Sequence, residues 1–368
     1  MTQNFAKLHE DVCFKRSKGK VIWQPRIDCW ITDKLFDHGE LPGIYKDMSK
    51  VDIYKELGCS ARIYEYNDCF YPIYDDTIHF SKTVDGRSTE HKMETPVGTV
   101  TRITKTTPSS WAELVTKEWV CNEEDLKVFT YIESHTNWGW NQEHFDKTKA
   151  EWGNLGAPTI FMPRTSMQRL YIDLMGVEEA VYAVMDYPET VEEYFDALRE
   201  CHFRLIDVIN ESPIHIINFG DNIHSGTLSP SFFEEYVLPE YKLRTERLHK
   251  AGKFICSHFD GDNKGLMEYY QQTGLDGVEA ITPVPQGDVT LEEAKENLGD
   301  MFLLDGIPAV YFDEIYPVEV LEECVHNILD LFAPNLILGI SDEISSTGDI
   351  ERIKLVGKIV DEYNAQFE

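Results

Sequence analysis

Short apolar segments alternate with helix-like segments through the second half of the chain, and four of the apolar segments carry an acid or a histidine at or near their carboxyl ends. These segments are Lys253–Asp262 with His258, Asp276–Ile281 with Glu279, Met301–Gly306 with Asp305, and Asn335–Asp342 with Asp342. Alternating strands and helices predict a parallel sheet with right-handed crossovers. Polar residues at the ends of several parallel strands are typical of the place where such folds carry out chemistry.

Two parallel folds fit this alternation. A doubly wound sheet normally carries a glycine-rich phosphate turn after its first strand, and the sequence contains neither G-x-G-x-x-G nor G-x-x-x-x-G-K-[ST]. A closed barrel instead brings all of its strand ends to one mouth. The 368 residues also exceed the roughly 250 of a minimal barrel. We therefore predict an α/β fold, a (β/α)8 TIM barrel with an N-terminal extension.

The first half of the chain follows a different pattern. Residues 78–84 and 98–106 are rich in β-branched side chains, and Asp85–Gly86 lies between them. Such segments predict β-hairpins. We expect one domain, residues 1–368, with a β-hairpin elaboration at about 70–120. Aromatic side chains crowd nearby, and they form either a core stripe or an aromatic substrate pocket to which Tyr66 would belong.

Charge and cysteine content restrict the class of protein. With 34 basic and 65 acidic residues the net charge is −31, which argues against binding to nucleic acid or to an anionic membrane. The eight cysteines include no C-x-x-C pair, and a chain of this length does not need a disulfide framework. The first residues lack an apolar signal region, and no apolar run approaches the roughly 18 residues of a membrane span. We expect a cytoplasmic protein.

Among the residues at or near these strand ends, the main candidates for chemistry are His258, Asp260, Glu279 and Asp342. His258 and Asp260 are two residues apart at one strand end, and Glu279 and Asp342 come from strands nearby. One imidazole with carboxylates is a plausible site for a divalent cation such as Zn²⁺. Two alternatives stay open: a general acid/base pair of His258 with Glu279 or Asp342, and a purely structural hydrogen-bond network. Cys256 is expected to be a buried core thiol.

Three further residues are candidates for substrate binding. Arg26 follows the first predicted strand and would hold an anionic group, unless it forms a structural pair with Asp28. Asp221 and Asn222 end the strand that precedes Lys253. They are predicted to bind a polar group of the substrate in the same cavity.

Several segments resemble the uroporphyrinogen decarboxylase superfamily, which contains decarboxylases and corrinoid (cobalamin)-dependent methyltransferases. These segments are Asn218–Asn222, Leu228–Pro230, Leu238–Tyr241, His249–Lys253, His258–Gly261, Glu279–Asp288 and Leu338–Asp342. The resemblance extends from Val21 onward and implies a (β/α)8 barrel. The decarboxylases carry an N-terminal Arg-Gln-Ala-Gly-Arg signature, where this chain has Trp23–Trp30 without it. The resemblance therefore favours the methyltransferase branch.

That branch implies a zinc site built from a His-x-Cys pair and a later Cys, and a distantly related family of cobalamin-independent methionine synthases adds a Glu. Carried over, these positions are His258, Asp260, Asp342 and Glu279, so both thiolates are replaced by carboxylates. Because thiolate-rich zinc suits thiol acceptors, the replacement points to an O-methyl donor such as an aryl methyl ether. The implied reaction transfers its methyl group to Co(I) of a partner corrinoid protein. The alternatives are an N-methyl donor, such as a methylamine or a betaine, and a decarboxylase.

Overall fold

The structure is a computed structural model that describes residues 3–367. The chain divides into two compact units. The first contains the chain up to Cys69, Gln142–Met162 and the chain from Pro213 onward, and the second contains Phe70–Asn141 and Pro163–Ser212. Compact units need not be separate domains, so the single domain stays a prediction.

The strands, in chain order, are β1 (Ile22–Trp23), β2 (Phe70–Tyr74), β3 (His79–Asp85), β4 (Ser88–Thr95), β5 (Gly98–Thr107), β6 (Ser110–Lys117), β7 (Thr136–Trp140), β8 (Thr159–Met162), β9 (Ile216–Phe219), β10 (Phe254–His258), β11 (Gly277–Glu279), β12 (Phe302–Pro308) and β13 (Leu336–Ser341). The α-helices are α1 (Phe5–Cys13), α2 (Asp28–His38), α3 (Lys50–Leu57), α4 (Glu123–Ser134), α5 (Gln142–Trp152), α6 (Ser166–Arg169), α7 (Val177–Asp186), α8 (Pro188–Glu211), α9 (Pro230–Phe232), α10 (Leu238–His249), α11 (Leu291–Leu298), α12 (Val318–Phe332) and α13 (Glu351–Asn364).

The first unit contains a curled parallel sheet of seven strands in the order β1-β13-β12-β11-β10-β9-β8. Strands that follow one another in the chain are neighbours, and β1 pairs with the last strand, β13. Strands β9 to β13 are buried at every residue, as expected when helices cover the outer side of a parallel sheet. The predicted α/β fold is confirmed as TIM-barrel-like.

An extended segment occupies the gap between the two edge strands of this sheet. Ser60 N donates to Trp23 O of β1 at 2.9 Å, and Ala61 N donates to Leu155 O at 2.8 Å. The side chain of Gln24 also donates to Ala61 O, at 3.1 Å. The segment therefore takes the position of an eighth strand without forming a full ladder.

The lower part of the barrel is filled by apolar side chains from the beginnings of the strands. They are Ile22, Ala157, Ile216, Phe254, Cys256, Phe302, Leu304 and Ile337, together with Val12 and Cys13 of α1. Helix α1 thus closes the amino-terminal end of the barrel, the end that normally serves stability. Cys256 lies in this cluster, and the prediction of a core thiol is confirmed.

The second unit carries the predicted hairpins. Strands β3 to β6 form an antiparallel sheet in sequence order, and β2 pairs with β7. Helix α4 begins after Asn122, whose side chain accepts from Asp125 N, as an N-cap residue does. Trp138 Nε1 donates to Cys201 Sγ of α8 at 3.4 Å.

Two local patterns in the sequence give the wrong element. Residues 60–66 alternate with period two and so predict a strand, but a 3₁₀ helix begins at Tyr64 and ends at Cys69. Residues 263–272 have a helix-like sequence, but only Met267–Gln272 form a 3₁₀ helix. Strand β7 and helix α5 had no clear signal, because their sequence is rich in polar and aromatic residues without a regular period. Within residues 3–367, none of the helices has the length and apolar character needed to cross a bilayer.

Candidate active site at the carboxyl ends of the barrel strands

The barrel strands bring three polar side chains together at their carboxyl ends. His258 and Glu279 are the last residues of β10 and β11, and they are partners in the register of the two strands. Asn218 lies on the neighbouring strand β9, opposite Cys256. Because parallel strands end at the same edge, these side chains meet above the apolar filling of the barrel.

His258 and Glu279 form a buried hydrogen-bonded pair. His258 Nδ1 lies 2.8 Å from Glu279 Oε2, and Asn218 Nδ2 donates to the same oxygen at 2.7 Å. Burial favours the neutral carboxyl, but Arg62 and His258 hold the pKa of Glu279 well below its ordinary value. An ionised carboxylate only accepts hydrogen bonds, so Nδ1 carries the proton and Nε2 is the nitrogen available to a substrate.

Arg62 joins the pair to a third strand. Its guanidinium, 4% exposed, contacts Glu279 Oε1 through Nη1 and Asp305 Oδ1 through Nη2, the latter at 3.0 Å. Burial opposes its charge, but Asp305 and Glu279 keep the pKa of Arg62 above its ordinary value. Arg62 therefore acts as a fixed cation between two buried carboxyl groups.

Asp305 has an unusual backbone and an incompletely paired side chain. Its φ is +74°, a left-handed conformation that non-glycine residues rarely adopt. Oδ2 is buried and has no hydrogen-bond partner. Burial, reinforced by repulsion from Glu279 and opposed by Arg62 and Arg26, raises the pKa of Asp305 to about 6.

A second guanidinium, that of Arg26, lies beside Asp305. Arg26 Nη1 is 4.0 Å from Asp305 Oδ2 and 3.7 Å from Asp342 Oδ1, while Nη2 is 3.8 Å from Glu343 Oε1. These distances are too long for hydrogen bonds, and Nε and Nη1 are buried without an acceptor. Against the effect of burial, nearby Tyr64 and the carboxylates keep the pKa of Arg26 above its ordinary value.

The backbone around the barrel mouth is strained at several strand ends. Asn222, Ala280, Asp305 and Asp342 all have φ between +52° and +74°, and they follow or interrupt β9, β11, β12 and β13. Left-handed conformations in non-glycine residues cluster at functional sites, where the surrounding structure holds them in place. Backbone strain and buried charged side chains thus both occur at the carboxyl-terminal end of the barrel.

A comparison of the sequence with known families decides which family this is. Residues 165–363 match the profile described as "Uroporphyrinogen decarboxylase (URO-D)", a stretch longer than half of the chain.

The chain belongs to the uroporphyrinogen decarboxylase family.

Among solved structures, this uroporphyrinogen decarboxylase family member is similar to a methyltransferase from Methanosarcina mazei, with a TM-score of 0.50 and 13% identity over 71% of this chain and 75% of that chain. A B12-independent methionine synthase from Shewanella sp. W3-18-1 aligns at a TM-score of 0.45 and 10% identity, over 95% of this chain and 98% of that one. No curated protein sequence matches the chain. At such low identity the likeness concerns the fold.

The structure of this family member brings together part of the predicted site. His258, Glu279 and Arg26 belong to the charged cluster just described. Asp260 Oδ1 lies 3.9 Å from His258 Nε2 and has no hydrogen-bond partner. Asp342 contacts Arg26, but its side chain is 60% exposed, so it lies at the rim.

The other predicted residues lie outside the cluster. Asp221 is fully buried and accepts a hydrogen bond from Tyr241 at 2.7 Å, and Tyr241 in turn contacts Ser257 at 2.6 Å. This network runs along the outer side of β10. Asn222 follows it with a φ of +52°.

Tyr66 is a core residue in this structure. It is buried and packs against Phe145, with ring centroids 5.5 Å apart. The regular alternation of a strand would place Tyr66 on the same side as Arg62 and Tyr64. The 3₁₀ turn that begins at Tyr64 breaks this alternation, so Tyr64 and not Tyr66 lies beside the arginines. Burial raises the pKa of Tyr64, and Arg26 and Arg62 oppose the rise.

Several site residues were absent from the predicted set. They are Arg62, Tyr64, Asn218, Asp305 and Glu343. Asp305 had a detectable signal, because it ends an apolar run in the sequence. Arg62 had a weaker signal in the sequence, as a lone arginine in an alternating apolar segment. No signal in the sequence indicates the ion pairs that join strands far apart in the chain.

Of the four residues predicted as zinc ligands, Glu279 already has protein partners at both of its oxygens. Both oxygens of Glu279 are engaged, by Arg62 on one side and by Asn218 and His258 on the other. Arg26 and Arg62 place two positive charges against the same carboxylates, where they compete with a metal. Within the part of the chain that the structure describes, no group of three or more His, Cys, Asp or Glu is arranged to hold a metal. A bound metal stays a prediction.

Proposed function

We propose that this protein is a methyltransferase that takes a methyl group from an O-methyl donor, an aryl methyl ether, and passes it to Co(I) of a separate corrinoid protein. The observation that carries the proposal is the pair of buried N–H groups of Arg26, Nε and Nη1, that lack an acceptor. An oxygen that loses its methyl group gains negative charge. Fixed donors aimed at such an oxygen stabilise the transition state more than the ground state.

The same charges distinguish an O-methyl from an N-methyl donor. In a methylated ammonium donor the leaving group is a nitrogen that carries positive charge. The departing nitrogen loses positive charge as its methyl group leaves, so guanidinium donors give little stabilisation to its transition state. The two buried arginines therefore favour an oxygen leaving group.

The arginines also argue against a decarboxylase with several carboxylates on its substrate. Such an enzyme needs cations that are free to hold those groups. Arg62 is already paired with Glu279 and Asp305, and Arg26 is surrounded by Asp305, Asp342 and Glu343. These carboxylates would repel further negative groups.

The corrinoid acceptor rests on the sequence resemblance to corrinoid-dependent methyltransferases, and the likeness of fold to the methyltransferase from Methanosarcina mazei agrees with it. His258 and Glu279 have a supporting role in the proposed reaction. The Glu279 carboxylate holds the imidazole through Nδ1 and leaves Nε2 facing Asp260 and the mouth. The departing oxygen must also take up a proton, which a neighbouring acid supplies.

A methyl-transfer assay tests the proposal. The purified protein is mixed with cob(I)alamin or a Co(I) corrinoid protein and with panels of methoxyaromatics and methylamines, and absorbance reports methyl-Co(III). We expect transfer from aryl methyl ethers and a loss of about 100-fold or more in Arg26→Ala, the size expected for a lost oxyanion donor. Arg16→Ala, which removes an exposed arginine paired with Asp11, is the matched control.

Two outcomes would contradict the proposal. If only methylamines donate a methyl group, the donor is an N-methyl compound and not an aryl methyl ether. If no donor reacts while a known transferase works in the same assay, the decarboxylase hypothesis replaces the proposed methyl transfer.

A further inference from the structure

We infer that Asp305 is the acid that protonates the departing oxygen, an assignment that rests on the proposed transfer from an O-methyl donor. The predicted site did not include this residue. Three independent features of the structure single it out: how the fold places the carboxyl group, what the group lacks, and which charges face it.

The placement of Asp305 depends on its own left-handed conformation and on a glycine in the neighbouring strand. Asp305 itself has a φ of +74° in the middle of β12, at a cost on the order of 1 kcal/mol or more. Gly339 on β13 has no side chain to block it. A Cβ built on Gly339 would overlap Asp305 Oδ1 and would lie 2.9 Å from Gln24 O. The two positions together open a space in the barrel wall for one carboxyl group.

One oxygen of this carboxyl group is held and the other is not. Oδ1 accepts from Arg62 at 3.0 Å, whereas Oδ2 is buried without a partner and Arg26 Nη1 is 4.0 Å away. A single ligand oxygen lies within hydrogen-bond reach of both atoms if it is about 2.8 Å from each. Such an oxygen would accept from Arg26 and receive a proton from Oδ2. In the proposed reaction the ether oxygen of the donor takes this position.

Burial and the charges around Asp305 together raise the pH at which this carboxyl group loses its proton. Arg62 and Arg26 favour the carboxylate, as does His258 on β10, whereas burial and the charge of Glu279 on β11 favour the protonated form. Asp342 and Glu343 after β13 partly neutralise Arg26. The balance raises the pKa of Asp305 to about 6, a range suited to an acid working near neutral pH.

The proposed step balances in atoms and electrons. The bond between the methyl carbon and the ether oxygen breaks, and its electron pair stays on the oxygen. That oxygen takes the proton from Asp305 and leaves as a phenol. The methyl carbon bonds to the acceptor through the electron pair of Co(I), which becomes methyl-Co(III). Asp305 is left as a carboxylate facing Arg62 and Arg26, and it regains a proton from solvent.

A series of aryl methyl ethers with different leaving groups tests this role. An acid matters most when the departing phenolate is strongly basic, and it matters little when the phenol is already acidic, as in a nitrophenyl ether. We expect Asp305→Asn to slow turnover of ethers of weakly acidic phenols by about 100-fold or more. The loss should shrink below about tenfold for nitrophenyl ethers. Asp300→Asn, an exposed acid just before β12, is the matched control.

The remaining outcomes separate this role from the proposed function. An equal loss with every ether would make Asp305 a structural residue and would overturn the inference, as would no loss at all. If the wild-type protein demethylates none of the ethers, the proposed function fails and the inference fails with it. If Asp305→Asn does not fold, Gly339→Ala displaces the carboxyl group without removing it. That variant must then show the same dependence on leaving group, and an even loss across the series would overturn the assignment.

Discussion

At the scale of single residues, Arg62 determines how the two buried carboxyl groups differ. It contacts both Glu279 and Asp305, but only Glu279 also receives hydrogen bonds from His258 and Asn218. Glu279 is therefore stabilised as an anion. Asp305 feels the charge of Glu279 and retains one unpaired oxygen, so its proton is held more tightly. Two acids with different affinities for a proton, set by their surroundings, are the pattern on which acid catalysis depends.

The raised pKa of Asp305 predicts how stability changes with pH. The folded protein holds this proton up to a pKa of about 6, against 3.8 as the ordinary value, so between pH 4 and 6 the folded state binds more protons than the unfolded state. Stability relative to a variant that cannot titrate must then fall as pH rises through this window. We expect Asp305→Asn to gain on the order of 1 to 3 kcal/mol relative to the wild type between pH 4 and 7.

Urea unfolding of both proteins at several pH values measures this difference. The lowered pKa of Glu279 acts with the opposite sign, since its stabilisation is lost as pH falls below the ordinary pKa. It is present in both proteins and largely cancels in the comparison. A difference that stays flat, or that shrinks as pH rises, would show that Asp305 is not a raised-pKa acid.

At the scale of elements, left-handed non-glycine residues follow three of the barrel strands, β9, β11 and β13. Asp342 illustrates this, because it follows β13 directly and has a φ of +73°. The same feature explains why Asp342 contacts Arg26 while remaining largely exposed. Asn222, Ala280 and Asp342 thus lie after the strands they follow, whereas Asp305 lies within β12.

Substitutions at Asp342 separate backbone strain from the loss of its contact with Arg26. Asp342→Gly and Asp342→Ala both remove the carboxylate, but only glycine adopts a positive φ without cost. We expect Asp342→Ala to be less stable than Asp342→Gly by about 1 kcal/mol in chemical unfolding. At Asp361 in helix α13 the order should reverse, because glycine is the poorer helix former. The same order at both positions would argue against strain at Asp342.

At the scale of the whole molecule, the net charge of −31 produces electrostatic repulsion among the exposed acidic side chains. Self-repulsion among like charges destabilises a compact state. The basic side chains of the site are buried among carboxylates and are screened little by salt, whereas the exposed acids are screened strongly.

Salt should therefore stabilise this protein. Raising NaCl from about 20 mM to 300 mM shortens the screening length severalfold, and we expect the midpoint of thermal unfolding to rise by roughly 2 °C or more. Sucrose at matched osmolarity is the control for effects unrelated to charge. A midpoint that falls with added NaCl would show that favourable surface ion pairs outweigh the repulsion.

The sequence by itself determined the barrel and selected some of the residues that meet in the candidate site. Strand and helix periods are local properties, and apolar runs that stop at polar residues show where parallel strands end. That was enough to predict the (β/α)8 class, the inserted hairpins, the core position of Cys256 and the meeting of His258 with Glu279. The same reasoning selected Arg26.

Only the tertiary structure decided which other side chains join them. Arg62 and Asp305 are 243 positions apart in the chain, and their ion pair depends on barrel closure, which no local period reports. The carboxyl group of Asp305 has room because Gly339 on a neighbouring strand has no Cβ to overlap its Oδ1. Tyr64, and not the predicted Tyr66, lies beside the arginines because a 3₁₀ turn interrupts an apparently alternating segment. The ion pair and the space for Asp305 depend on contacts between distant elements, and these contacts set the charges that the proposed chemistry uses.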